Sequence, residues 1–60
     1  MNGYQVTALF GNVWEVVGHD CFYQQGAADA LARKYRGLGY SVRVHHITGK
    51  DSSRVLYELS

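Results

Sequence analysis

Residues 27–44, AADALARKYRGLGYSVRV, change their hydrophobic period once, and that change decides the fold. Up to Leu38 the apolar residues Ala27, Leu31, Tyr35 and Leu38 recur at three- and four-residue steps, with Ala28 and Ala32 beside them. This is one apolar stripe, so the spacing predicts a helix, roughly Gln24 to Leu38, that packs by one side. From Tyr40 the period is two: Tyr40, Val42 and Val44 alternate with Ser41, Arg43 and His45, as in a half-buried strand. Gly39 at the joint can take the left-handed cap that ends a helix, and Arg33, Lys34 and Arg36 fill the last turns, where the helix dipole favours cations. The joint is also a charge boundary. Residues 1–32 carry Glu15, Asp20 and Asp29 with no Lys or Arg, whereas residues 33–60 carry Arg33, Lys34, Arg36, Arg43, Lys50 and Arg54 against Asp51 and Glu58, so the two parts have formal charges of −3 and +4.

Upstream, Tyr4 to Phe10 and Val13 to Val17 are rich in β-branched and aromatic residues and are separated only by Gly11-Asn12. That is a hairpin signal, with Gly first in a type II′ turn. Pairing across the turn sets Phe10 opposite Val13, Ala8 opposite Glu15 and Val6 opposite Val17 on one face, and Leu9 opposite Trp14 and Thr7 opposite Val16 on the other. Gly18 to Gln25 reads as a connection, with Asp20 or a residue near Gln24 starting the helix. Downstream, Thr48 to Ser52 is a polar loop, and Arg54 to Leu59 alternates with Val55, Tyr57 and Leu59 against Arg54, Leu56 and Glu58. The expected order is ββαββ. Strand order 2-1-3-4 then makes every neighbour antiparallel, giving an α+β fold: a four-stranded antiparallel sheet with one helix packed on one face.

Sixty residues make one domain, 1–60, and a chain of this size hides only about 60% of the surface its unfolded form exposes. With one cysteine there is no internal disulfide, and no Cys/His set has the spacing of a structural zinc site, so self-association or a partner is the remaining source of stability. Hydrophobic residues at 47% and aromatics at 13% provide a core and exclude disorder. The apolar runs are too short to span a membrane, and the N-terminus has no signal-peptide pattern, so a soluble cytoplasmic protein is the expectation.

The run Ala28 to Arg36 followed by Gly39 to Val44 resembles the helix-to-strand half of SPOR-type modules, which bind peptidoglycan. Those modules contain two βαβ units and this chain has one helix, so neither their fold nor their ligand is carried over.

Chemistry is sparse. His19, Asp20 and Cys21 include the residue types of a nucleophile, a base and an orienting acid, but adjacent residues rarely converge on one point. His45 and His46 project to opposite faces of a strand and cannot share a metal without a third group. No phosphate loop or carboxylate pair is present, and so neither an enzyme nor a cofactor or metal is expected.

Surfaces are more telling. If the helix covers Tyr4, Val6, Phe10, Val42 and Val44, then Leu9, Trp14, Val16, Arg43, His45, Arg54 and Leu56 lie on the uncovered face, a composition typical of an interface centre. The reverse register would bury Trp14 and expose Phe10 and Val13. The expected function is therefore a small non-enzymatic protein-binding module or homodimer, using the open face or an edge strand, by analogy with the small inhibitors and adaptors that phages and mobile elements encode. The alternative is a single-stranded nucleic-acid binder in which Trp14 stacks on a base while Arg43, Arg54, Lys50 and the helix-end cations meet phosphates. A net charge of +1 weighs against it.

Overall fold

The computed structural model describes residues 2–60. Its elements are β1 (Gly3–Phe10), β2 (Val13–Phe22), α1 (Gln25–Gly37), β3 (Val42–Ile47) and β4 (Ser53–Leu59). The four strands form one antiparallel sheet in the order β2-β1-β3-β4, the α+β arrangement expected from the two hairpins and the single helical segment.

The first hairpin has the register its turn dictates. Gly11 has φ +63° while Asn12 keeps a negative φ, which fits a type II′ turn, and the pairs run from Phe10 with Val13 to Val6 with Val17. Beyond that point the strand departs from expectation. Val6 faces Val17 but Tyr4 faces Phe22, so Gly18 to Cys21 stand against the single residue Gln5. Gly18, at φ +73°, lets the strand pout and rejoin, with the Gln5 Nε2 donating to the Asp20 carbonyl at 3.3 Å. The span read as a connection from Gly18 to Gln25 is thus mostly strand, and only Tyr23 and Gln24 link β2 to the helix.

At its start α1 has Gln24 in an extended conformation and no side-chain cap, so Asp20 takes no part in it. At its end the chain closes a Schellman motif: the Tyr40 amide donates to the Tyr35 carbonyl and the Gly39 amide to the Arg36 carbonyl, with Gly39 at φ +100°. The aromatic rings of Tyr35 and Tyr40 supply the apolar contact that accompanies such caps, their centroids 6.0 Å apart, and Phe10 packs against both.

The helix meets the sheet through a different line of its surface than the sequence stripe implies. Ala28 and Ala32 are fully buried, Leu31 and Tyr35 flank them, and Ala27 and Leu38 are exposed. The methyl side chains let the helix backbone approach the sheet, and the longer Leu31 and Tyr35 spread to either side. Below them lie Val6, Ala8, Val17, Val42 and Val44, so the buried core among the described residues consists only of valines and alanines. Tyr4, Phe10, Phe22, Leu56, Tyr57 and Leu59 pack around its rim.

Candidate functional site: the uncovered sheet face

The side of the sheet away from α1 is built by four cross-strand rows, read from the pairings because directly opposed residues share a face. The first row is Trp14 and Leu9, with the Leu9 amide donating to the carbonyl of Ser41 just before β3. The second is Val16, Thr7, Arg43 and Glu58. The third is Gln5, His45 and Val55. The fourth is Gly3, Ile47 and Ser53, with Cys21 lying over Gly3: a Cβ on Gly3 would collide with the Cys21 thiol.

Of the residues expected on this face, Leu9, Trp14, Val16, Arg43 and His45 are brought together. Arg54 and Leu56 are not. Val44 pairs with Tyr57 while His45 pairs with Val55, so Leu56 is an unpaired bulge residue that packs against the buried cluster. The register slip turns the start of β4 over: Arg54 pairs with His46, whose ring stacks on Tyr4 of the helix-facing side, and Val55 takes the open face instead. Val55, 48% exposed, is the member that strict alternation along β4 puts on the wrong side, whereas Glu58, not named among the expected site residues, lies where that alternation puts it, opposite Arg43.

Two polar connections organise the face. The Arg43 guanidinium lies 4.0 Å from the centroid of the Trp14 ring and donates through Nε to Glu58 Oε1 at 2.7 Å, which is the one ion pair among the described residues. Trp14 and Arg43 belong to strands on either side of β1, and the short Thr7 between them leaves the guanidinium room to cross. Both members of the ion pair are partly exposed, so the pair contributes less than about 1 kcal/mol and the cation–π contact about as much. Their effect is to fix where the indole sits. In the next row His45 Nε2 shares a hydrogen bond of 2.9 Å with Thr7 Oγ1. Burial, and then the nearby Arg43 charge, hold the His45 pKa below its ordinary value.

The end of the face opposite Trp14 is hollow. The loop at 48–52, closed by the Thr48 amide on the Ser52 carbonyl, rises beside the fourth row. It bounds a depression of about 370 Å³ lined by Cys21, Ile47, Gly49 and Lys50, and a more polar one of about 260 Å³ between Gln5 and residues 49–53.

The cations do not gather around the indole. Arg33, Lys34 and Arg36 belong to α1 on the far side of the sheet, Arg54 shares that side, and Arg43 is already engaged with Trp14 and Glu58. His19 packs edge-on against Phe22, and among the described residues no three His, Cys, Asp or Glu side chains converge as metal ligands. No described helix is long and apolar enough to cross a membrane. No protein-family model, curated protein or solved structure matches the chain.

Proposed function

We propose that this chain is a non-enzymatic protein-binding module that docks another protein chain on its open sheet face. The observation that carries this reading is the chain of contacts from Trp14 through Arg43 to Glu58: an indole held in place by a guanidinium that is itself neutralised, with Leu9, Val16 and Val55 around it. Trp and Arg dominate interface energetics, and a prearranged anchor loses little side-chain entropy on binding. A nucleic-acid groove needs free cations alongside an open aromatic ring. Here the ring carries Arg43, and the remaining Arg side chains lie across the sheet.

The test compares variants on the two sides. Trp14→Ala and Arg43→Ala should abolish association with a protein partner while the far-ultraviolet spectrum stays unchanged, and Lys34→Ala on the outer face of α1 should leave association intact. Association should vary little with salt. Loss of binding in Lys34→Ala with retention in Trp14→Ala, or tight and steeply salt-dependent binding to single-stranded DNA, would reject the reading.

A further inference from the structure

We propose that the open face is a two-fold interface between two copies of this chain, in which Trp14 of each copy seats in the depression formed by Cys21, Ile47, Gly49 and Lys50 of the other. The inference rests on the protein-binding reading and names the partner.

Three observations carry it. The first is shape. Trp14 stands at one end of the face and the depression of about 370 Å³, large enough for an indole, at the other. A two-fold axis lying in the face, perpendicular to the strands and between the second and third rows, brings the first row of one copy over the fourth row of its mate. Such a contact is isologous, with each copy giving an anchor and receiving one.

The second is charge. The same axis lays the Arg43–Glu58 row over the Gln5–His45–Val55 row, which carries no formal charge while His45 is neutral. Within these two rows like charges therefore do not meet; at the depression the Arg43 carried on the Trp14 ring approaches Lys50 of the mate, with the Glu58 bound to that guanidinium to offset it. The third is size. The larger extents of the molecule, 31 and 23 Å, limit each face to roughly 700 Å², so apposing two could bury up to about 1,400 Å², which reaches the range of specific stable interfaces.

The sheet edges offer a poorer route. Both outer strands are interrupted, β2 at Gly18 and β4 at Leu56, and bulged edges resist strand addition. Face-to-face pairing of the sheets, with the helices outermost, is what remains.

Trp14 is the single tryptophan of the chain, so intrinsic fluorescence reads this contact directly. Sedimentation equilibrium of the full chain should show a reversible dimer, with emission moving to shorter wavelength as concentration rises. Trp14→Ala and Ile47→Arg should each weaken dimerisation roughly thirtyfold or more. An equimolar mixture of the two variants should associate more tightly than either alone, because a mixed dimer restores one intact Trp14 contact. That rescue also excludes misfolding as the cause of either loss. A monomer at hundreds of micromolar with concentration-independent emission would overturn the proposal, as would a dimer indifferent to both substitutions or a mixture no tighter than its components. If the monomeric chain still bound a different protein through Trp14, self-pairing alone would fall and the broader reading would stand.

Discussion

At the scale of single residues, two glycines should respond oppositely to the same substitution. Gly18 combines a positive φ with a crowded site, where an added Cβ would come within 2.6 Å of Leu31 Cδ2 and 3.0 Å of Phe22 Cζ. Gly18→Ala should therefore cost about 1 to 3 kcal/mol, from backbone strain and from displacement of the two side chains. Gly26 lies inside α1 at an ordinary φ with open space beyond it, so Gly26→Ala should gain about 0.5 to 1 kcal/mol. Urea unfolding of the pair checks both signs, and equal shifts would mean that the bulge at Gly18 is soft. Tyr57 offers a pH-dependent case. Its hydroxyl donates to Asp29 Oδ1, and burial first, then that hydrogen bond and the carboxylate charge, push the phenol up to about 12. A raised folded-state pKa stabilises fully below the unfolded value of about 10, and the contribution is lost as pH rises through the folded value. Tyr57→Phe should cost about 1 kcal/mol near neutrality, with the difference from the parent shrinking in strong alkali.

At the scale of elements, α1 tests which line of the helix meets the sheet. Ala32→Leu should cost about 1 to 3 kcal/mol because its methyl is fully buried against the valines, whereas Ala27→Leu on the exposed side should be nearly neutral. Leu31→Ala should cost about 2 kcal/mol, the low end for a leucine, since Leu31 is half-buried beside Phe22. Thermal unfolding of the three would show whether the alanine line is the true contact. The helix, the two hairpins, their strand order and the register from Val6–Val17 to Phe10–Val13 were legible because each follows from a period and a turn. The helix face was not, since alanine counts as weakly apolar in any stripe yet is what permits close approach. Nor were the two bulges, which a strict period of two cannot express. Signals for both do exist in the chain. Gly18 interrupts a strand-like run, and Val55-Leu56-Tyr57 places three apolar residues in succession where alternation demands a polar one. Following β4 without that slip put Arg54 and Leu56 on the open face and left Val55 off it.

At the scale of the whole molecule, a core of valines and alanines leaves the larger apolar side chains at the rim or on the open face, so association and stability should be linked. Under the two-fold proposal the thermal midpoint at neutral pH should rise with protein concentration, and Trp14→Ala should flatten that dependence. Acid should flatten it too, through His45. Burial and the Arg43 charge disfavour its imidazolium, so stability is complete above the ordinary histidine pKa of about 6.5, falls as pH drops below it, and levels off below the depressed folded-state value. Pairing sharpens the effect, because it buries the imidazolium further and adds a second Arg43 beside it, each Arg43 offset only by the Glu58 of its own copy. Protonation would also fix His45 Nε2 as the donor to Thr7 Oγ1, a contact that at neutral pH can run in either direction according to the ring tautomer. His45→Gln retains a hydrogen-bonding group for Thr7 and cannot take up a proton. Sedimentation and thermal midpoints measured from pH 8 to pH 5 should show the parent dimer weakening below about pH 6.5 while the variant holds its affinity. If both weaken in parallel, His45 is not the titrating group, and protonation elsewhere in the chain governs the assembly.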